Sequence, residues 1–311
     1  MESAAADGAP ASRAALPARA LPARALPRAA LGLGLRAPHL EHILGCWPQL
    51  DWFEAISENY MDSGGRPRAL LERIARRYPI SLHGVSLSIG STDPLDADYL
   101  ARLRRLADEL QPVTVSDHLC WTSVAGFNSH DLLPLPLTEE ALCHVARRVH
   151  AVQERLGRPL ALENPSSYLR FRHSTLDEPE FLRELCARTG CELLLDINNI
   201  HVSCRNTGAD PVRYLEGMPW GSVVQMHIAG HEDHGSHLID THGQPVAPEV
   251  WALYARAWGL GGGAPTLLER DSNIPGFEVC RAELRLAEQH RVRAARLEHD
   301  ASLPVTQMVQ A

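Results

Sequence analysis

The chain has 311 residues, of which 45% are hydrophobic and 22% are charged, and its formal net charge at pH 7 is −8. These values are ordinary for a globular protein with one large domain or two small ones, and the negative balance argues against nonspecific nucleic-acid binding as the main activity. The sequence contains no run of about 18 apolar residues, so no membrane span is expected. Its seven cysteines are scattered and odd in number, which favours a reduced, cytoplasmic protein over a disulfide-stabilised one.

The two ends of the chain predict tails. Residues 1–30 are rich in alanine, proline and arginine, and the unit Ala-Leu-Pro-Ala-Arg is repeated from Ala15 to Arg24. Proline at this spacing interrupts helices, and no core pattern is present, so a disordered tail is expected. Residues 296–311 are likewise expected to form a flexible tail, which leaves residues 31–295 as the folded domain.

Between the tails, short apolar runs alternate with amphipathic stretches. The predicted strands are 32–35, 51–56, 80–83, 113–116, 160–163, 193–196, 223–227 and 266–269. The predicted helices are 66–77, 95–109, 138–157, 177–188, 209–216, 248–258 and 277–290. This alternation predicts an α/β fold, a (β/α)₈ TIM barrel. A doubly wound open sheet is the alternative, but no strand is followed by a glycine-rich phosphate-binding sequence.

Polar residues recur at the carboxyl ends of the predicted strands, from the third strand to the eighth. In a barrel these ends form one ring, so we expect the side chains to face a single cavity. They are His83, His118, Glu163, Asp196, His227 and Glu269. Asp240 and His242, in the loop after the seventh strand, are expected to close over this ring.

These eight candidate metal ligands are four imidazoles and four carboxylates, a set suited to iron, zinc or manganese. A site for one catalytic metal takes about three protein ligands. Eight candidates therefore predict two or three ions, bridged by carboxylates such as Glu163 or Asp196, because bridging carboxylates offset the repulsion between neighbouring cations. No cysteine lies at a strand end, which argues against a thiolate-bound structural zinc.

Five further residues near the strand ends have open roles. Glu54, Glu58 and Asn59 lie in or just after the second strand and either support the ligands, contact the substrate or belong to a solvated loop. Asn164 and Asn199 either bind metal through the amide oxygen or orient the ligands.

Asp117, beside His118, is a candidate catalytic acid–base residue or an acceptor for a backbone amide. Residues 121–136 are expected to form an ordered loop over the barrel mouth. His201 is not expected to be a ligand, and His234 and His237 are expected to be solvated.

The strand-end motifs resemble those of the multinuclear non-heme iron-dependent oxidative enzymes, a bacterial family long catalogued as a domain of unknown function. The resemblance covers about residues 32–290, and its motifs stand in a fixed order. The matching sequences are Leu82-His83-Gly84-Val85-Ser86-Leu87-Ser88, Ser116-Asp117-His118-Leu119, Glu163-Asn164, Asp196-Ile197-Asn198-Asn199, His227-Ile228-Ala229-Gly230-His231, Leu238-Ile239-Asp240-Thr241-His242 and Glu269-Arg270-Asp271.

The resemblance implies a TIM barrel that holds two or three irons in mixed Fe(II)/Fe(III) states, with O₂ as co-substrate. It also implies oxidative modification of cysteine in a ribosomally synthesised precursor peptide, usually presented by a small partner protein. Asp117 and His231 are then the candidate catalytic residues. One departure from the family is His201, where relatives tend to carry tyrosine.

Two other functions are compatible with these residues. TIM-barrel hydrolases and sugar isomerases of the endonuclease or xylose-isomerase type use similar ligands with zinc or manganese, although the acidic balance argues against a DNA substrate. A metal-binding or storage protein that uses exposed His231, His234 and His237 is the other alternative. Consumption of O₂ during turnover distinguishes the oxidative enzyme from both.

Overall fold

The computed structural model describes residues 26–292 and 294. Eight parallel strands close into a barrel, as predicted, with the order β1-β12-β9-β8-β7-β4-β3-β2. These strands are β1 (Leu31–Gly34), β2 (Trp52–Ile56), β3 (Ile80–His83), β4 (Val115–His118), β7 (Ala161–Glu163), β8 (Glu192–Asp196), β9 (Val223–Ile228) and β12 (Thr266–Leu268). Two antiparallel hairpins stand outside the barrel: β5 (Trp121–Val124) with β6 (Phe127–Leu133), and β10 (Glu232–Asp233) with β11 (Leu238–Ile239).

Helices surround the barrel, and the predicted TIM-barrel fold is confirmed. The α-helices are α1 (Leu40–Cys46), α2 (Glu58–Met61), α3 (Arg66–Ala75), α4 (Ala97–Leu110), α5 (Glu139–Leu156), α6 (Glu178–Thr189), α7 (Ile197–Thr207), α8 (Pro211–Gly217), α9 (Pro248–Gly261) and α10 (Phe277–Leu284). Two 3₁₀ turns, Ala37–His39 and Trp220–Ser222, precede α1 and β9. Among the described helices, none has the length and apolar character needed to cross a membrane.

The predicted tails lie largely outside the described residues. Of the predicted N-terminal tail only residues 26–30 are described, and Ala30 is buried with Trp52 and Leu267. The predicted C-terminal tail, residues 296–311, lies wholly outside them.

The core lies inside the barrel and between the strands and helices. Each barrel strand is flanked by two others and covered by helices, so its residues are buried on both faces; Leu193, Leu194 and Leu195 in β8 are each 1% exposed. Side-chain caps begin helices α4, α5, α6 and α7. Thr138 Oγ1 accepts a hydrogen bond from the Ala141 amide at 3.2 Å, as expected for an N-cap.

Helix α7 was absent from the sequence prediction. Its sequence, with three asparagines and a threonine, has low intrinsic helix propensity. It forms because Asp196, the last residue of β8, caps it by accepting the Asn199 amide at 2.7 Å, and because Ile197, Ile200 and Val202 are buried. The turn from strand to helix therefore occurs without a connecting loop, directly at a predicted metal ligand.

The β5–β6 hairpin replaces the ordered loop that the sequence predicts at residues 121–136. Ser88 holds its base: the Oγ atom accepts a hydrogen bond from the Thr122 amide at 2.9 Å. Phe127 near its tip is 69% exposed. The hairpin follows β4 directly, so it stands at the carboxyl end of the barrel.

The loop from β9 to α9 is packed against itself at Gly230. A Cβ atom on Gly230 would lie 2.0 Å from the carbonyl oxygen of Gln244 and 2.4 Å from that of Pro245. Only glycine allows this approach, and the contact sets the position of the segment that carries Asp240 and His242.

We predict that Gly230→Ala destabilises the protein by about 1–3 kcal/mol, because the new methyl group has to displace backbone atoms rather than a mobile side chain. The measurement is the free energy of unfolding in urea. Gly221→Ala is the control, because a Cβ atom there meets nothing within 4 Å, and its effect should stay within about 0.5 kcal/mol. Equal effects of the two substitutions would contradict the close approach at Gly230.

Candidate metal centre

Three overlapping groups of side chains meet at the carboxyl end of the barrel, and each group is able to hold a metal ion. Within each group the potential ligand atoms all lie within 4.8 Å of one another. Glu163 and Glu269 each belong to two groups, so the groups form a continuous chain. The groups are His83 with His118 and Glu163; Glu163 with Asp196, His227 and Glu269; and His242 with Glu269 and Asp271.

The first group joins β3, β4 and β7. The Nε2 atoms of His83 and His118 each lie 3.1 Å from Glu163 Oε2. The other ring nitrogen of each histidine, Nδ1, is hydrogen-bonded. His83 Nδ1 lies 2.9 Å from Ser116 Oγ, and His118 Nδ1 lies 3.1 Å from the Gly84 carbonyl oxygen. Such bonds fix the ring orientation of metal-binding histidines, and here they leave both Nε2 atoms facing the carboxylate.

The second group is centred on His227, which is fully buried. Its Nδ1 atom lies 3.0 Å from Glu269 Oε2 and 3.7 Å from Glu163 Oε1. On the opposite side of the ring, Nε2 lies 3.0 Å from Glu54 Oε1, and Gln225 donates to Glu54 Oε2 at 2.6 Å. Glu54 therefore orients a candidate ligand and is buried, not part of a solvated loop.

Asp196 is the remaining member of the second group, and two asparagines hydrogen-bond around it. Asp196 Oδ1 caps α7, whereas Oδ2 is buried and has no hydrogen-bond partner among the described residues. Asn164 binds the Asp196 backbone on both sides: its Nδ2 donates to the carbonyl at 3.0 Å, and its Oδ1 accepts from the amide at 2.9 Å. Asn199 Nδ2 donates to the Asn164 carbonyl at 3.1 Å. These bonds favour an orienting role for Asn164, since its amide oxygen is already used.

The third group lies on the loop after β11 and at the end of β12. His242 Nδ1 lies 3.1 Å from Asp271 Oδ2 and 3.3 Å from Glu269 Oε2, while its Nε2 lies 2.7 Å from Asp240 Oδ1. The backbone of His242 is left-handed, with φ 47°, a conformation that costs roughly 1–3 kcal/mol at a non-glycine residue. Asp240 as a ligand remains a prediction, because the ligand group places Asp271 beside His242.

Two residues of this region were missed in the sequence. Asp271 stands two positions after Glu269, and this spacing repeats along one face of an extended chain, so its signal was present. Arg36 had no local signal. Its Nη2 atom lies 3.0 Å from Glu269 Oε1 and 2.5 Å from Asp271 Oδ1. Arg36 therefore offsets the negative charge of two carboxylates that are more than 230 residues away in the sequence.

Several buried polar atoms at the centre have no hydrogen-bond partner among the described residues. They include Glu163 Oε2, Asp196 Oδ2, His227 Nδ1 and His242 Nε2, and the amide oxygen Oδ1 of Asn199 is also without a partner. Buried polar atoms are normally hydrogen-bonded. Three of these atoms approach another candidate ligand within 3.1 Å but without hydrogen-bond geometry, which is what ligands directed at a common cation would show. The residues therefore fit a multinuclear metal site.

The charges within the cluster compensate one another. Burial alone would lower the pKa of His83, but Glu163, Glu54 and Glu269 outweigh it and raise the value to about 9. In the same way, Glu54 and Glu269 hold the pKa of His227 well above its usual value. Metal binding at such sites displaces protons from the ligands, so a cation would take over the balancing role of these imidazolium protons.

Asp117 and Glu58 form a separate pair. Asp117 alternates with His118 along β4, so its side chain lies on the other face of the strand, where Oδ1 accepts from the His118 amide at 2.8 Å and Oδ2 from the Leu87 amide at 3.2 Å. Glu58 Oε1 accepts from the Val85 amide at 2.9 Å. Burial and the nearby Glu58 raise the pKa of Asp117 to about 7. The geometry favours the backbone-acceptor role; catalysis by Asp117 remains a prediction.

The other predicted residues lie around the rim. His231 Nδ1 lies 2.8 Å from Asn198 Oδ1, and Asn198 Nδ2 donates to Asp240 Oδ1 at 2.9 Å. The side-chain amide of Asn198 therefore bridges His231 and Asp240. The catalytic role of His231 remains a prediction. The ring of His201 lies 5.0 Å from that of His231. Asn59 is exposed on α2.

The exposed histidines of the β10–β11 hairpin stand apart from the three ligand groups. His234 and His237 stack on each other, with ring centroids 5.3 Å apart. Both are exposed.

Fold and site together define a class: a TIM barrel with a buried histidine–carboxylate cluster, suited to several metal ions, at the carboxyl end of its strands. The sequence model of a family described as the RiPP precursor modification enzyme MbnB/TglH/ChrH matches residues 30–292. The chain belongs to this family, whose members modify ribosomally synthesised precursor peptides. The family predicted from the strand-end motifs is thus confirmed.

Relatives with the name UPF0276 protein support the same assignment. One from Caulobacter vibrioides is 53% identical over 257 residues, 82% of this chain and 92% of the relative. One from Rhizorhabdus wittichii is 53% identical over 270 residues, 85% of this chain and 97% of the relative. A third, from Vibrio vulnificus, is 45% identical over 262 residues, 83% and 90% of the two chains.

Solved structures with a similar fold include sugar epimerases and a nuclease. An L-ribulose 3-epimerase aligns with a TM-score of 0.56 and 18% identity, and the alignment covers 89% of this chain and 99% of the other. Endonuclease IV from Thermus thermophilus aligns with a TM-score of 0.57 and 16% identity, covering 85% and 99%. At this identity the likeness establishes the barrel fold alone.

We predict that Glu163→Gln lowers the metal content by at least one ion per chain, because Glu163 contributes to two ligand groups. This substitution replaces one carboxylate oxygen by an amide nitrogen, which keeps the shape of the side chain but removes its negative charge. The measurement is elemental analysis after anaerobic loading with Fe(II) and gel filtration. Glu192→Gln, on the same barrel but outside the groups, is the control and should bind as the unmodified chain does. A full metal content in Glu163→Gln would contradict the bridging role.

Proposed function

We propose that the chain is a multinuclear iron enzyme that uses O₂ to oxidise a cysteine of a ribosomally synthesised precursor peptide. The observation that carries the proposal is the chain of three ligand groups that share Glu163 and Glu269, in a member of a precursor-modifying family. Shared carboxylates keep neighbouring cations close enough to act on one substrate group.

The ligands are assigned as follows. His83 and His118 with Glu163 would hold one iron, and Asp196 and His227 with Glu163 and Glu269 would hold a second. His242 with Glu269 and either Asp271 or Asp240 would hold a third. Nitrogen and carboxylate donors suit iron. Bound iron would supply Lewis acidity toward the substrate thiolate and the electrons needed to reduce O₂.

The residues around the ligands have separate tasks in this proposal. Ser116 Oγ and the Gly84 carbonyl fix the rings of His83 and His118, and Glu54 fixes the ring of His227. Arg36 offsets the charge of Glu269 and Asp271. Loss of such supporting contacts typically costs 10–100-fold in metal affinity or activity.

The carboxyl end of the barrel is where the peptide would enter. The β5–β6 hairpin, the loop after β7 and the β10–β11 hairpin all rise from this end. A small partner protein that presents the peptide is part of the proposal, and so are a cytoplasmic location and the absence of nucleic-acid and membrane partners. The zinc or manganese hydrolase and isomerase alternatives share the barrel fold and a similar ligand chemistry, but the family match supports precursor modification over them.

We predict that the iron-loaded chain consumes O₂ when given its cysteine-containing precursor peptide, and that the peptide mass changes in step with O₂ uptake. His83→Ala, Asp196→Ala and His227→Ala should each abolish both signals, because each removes a buried ligand. His234→Ala is the control, since His234 is exposed on the β10–β11 hairpin and outside the ligand groups. Full oxidation by any of the first three variants would remove that residue from the assignment. Turnover without O₂ would contradict the oxidative function.

A further inference from the structure

The loop that follows β7, residues 164–176, connects the metal centre to the protein surface. It begins directly after Glu163, the carboxylate shared by two ligand groups. Its Tyr168 hydroxyl accepts a hydrogen bond from the Asp240 amide at 3.1 Å. The loop therefore touches both the first ligand group and the segment that carries His242.

This loop exposes large apolar side chains next to one another. Tyr168 is 47% exposed, Leu169 51% and Phe171 37%. Scattered single apolar residues are normal on protein surfaces, whereas contiguous ones mark interaction sites. Tyrosine and phenylalanine are also enriched where proteins bind partners. The cluster beside the metal centre thus has the composition of a binding surface.

The same residues carry an unbalanced positive charge. Arg170, Arg172 and His173 lie between or beside the apolar residues, and residues 164–176 contain no Asp or Glu, although the whole chain has a formal charge of −8. Arg170 and Arg172 make no hydrogen bond or ion pair with any other described residue, and both are exposed. Two unpaired guanidinium groups within three positions are suited to an acidic partner.

A cavity of about 440 Å³ lies beside this loop, and Leu169 and Phe171 are part of its wall. Leu119 and Pro165 also line it. Leu119 directly follows the candidate ligand His118, and Pro165 stands two residues after Glu163, so the segments that carry two ligands of the first group continue into the cavity wall. An apolar side chain bound in the cavity would hold its neighbours in the chain near the metal centre.

The cavity lining itself is not net positive, because Asp177, Glu178 and Asp210 line it together with Arg170 and Arg213; the excess positive charge lies on the exposed arginines of the loop. Asp177 accepts from the Glu180 amide at 2.8 Å as the cap of α6, and Asp210 accepts from the Val212 amide at 2.9 Å as the cap of α8. Burial raises the pKa of Glu178 to about 7, so it carries only part of a charge. Arg213 adds a further positive charge to the lining.

We propose that residues 168–173, called here the 168–173 strip, and the adjoining cavity bind an acidic, partly apolar segment of the precursor peptide. The inference rests on the proposed function for the identity of the occupant, and it deepens that function by naming the chemistry of the recognised segment. Apolar and arginine residues alternate from Leu169 to Arg172, which matches a segment in which Glu or Asp alternates with apolar residues. The modified cysteine would lie next to this segment, on the side toward Glu163.

The test is a binding measurement on the full iron-loaded chain kept without O₂, so that no turnover occurs. The probe is a short fluorescein-labelled synthetic peptide of alternating Glu and Leu, compared with the same peptide with Lys in place of Glu. The unmodified chain should bind the Glu peptide at least about tenfold more tightly than the Lys peptide. The double variant Arg170→Glu with Arg172→Glu should lose that preference, and Leu169→Ala with Phe171→Ala should weaken binding of the Glu peptide about tenfold.

The matched control is Arg73→Glu with Arg105→Glu on α3 and α4. Both arginines are exposed, and the change in net charge is identical. Its binding should equal that of the unmodified chain. Equal binding of the two peptides, or equal losses in the control and in the Arg170/Arg172 variant, would overturn the proposal.

Two other occupants are outcomes of the same set of variants. If sedimentation shows a dimer that the Arg170/Arg172 variant converts to a monomer, the strip is a contact between copies of this chain and the proposal is wrong. Binding of anionic lipid vesicles in preference to the Glu peptide would also overturn it. Failure of the oxidative function is seen separately, as absence of O₂ uptake after oxygen is admitted, and it leaves the anaerobic binding result intact.

Discussion

The structure depends on the burial of carboxylates at one end of the barrel. Glu163 is 1% exposed and Glu269 is 4% exposed, and a buried carboxylate without a counter-charge costs several kcal/mol. Glu163 is faced by His83 and His118, and Glu269 by His227 and Arg36. The closed barrel makes this possible, because every parallel strand ends at the same ring. Charge balance by imidazoles would also allow the cluster to exchange protons for metal ions.

The candidate ligands are hydrogen-bonded to further buried residues. Glu54 contacts His227, and Ser81 and Gln225 in turn donate hydrogen bonds to Glu54. Asn164 donates a hydrogen bond to the Asp196 carbonyl. These groups are buried and hydrogen-bonded, so they hold the candidate ligand side chains in position. The rim is different in kind, because its aromatic and arginine side chains at residues 168–173 are exposed and, in our proposal, bind the precursor peptide.

Most of the fold and of the candidate site could be predicted from the sequence, for one physical reason. Strands buried on both faces produce continuous apolar runs, and a polar residue that interrupts each run at its end is visible without any alignment. Asp271 was missed although it follows Glu269 at strand spacing. Arg36 could not be found, because its contact with Glu269 requires the barrel to close between β1 and β12. Helix α7 was not predicted from the sequence, because capping and burial stabilise it and its intrinsic helix propensity is low.

The most direct test of the shared-carboxylate account is Mössbauer spectroscopy with elemental analysis on the chain expressed with iron and purified without oxygen. The account predicts two or three irons per chain, with spin-coupled Fe(II)/Fe(III) signals, since carboxylate bridges place the ions close enough to couple. A single isolated iron, or zinc or manganese at full occupancy with iron unable to bind, would contradict it.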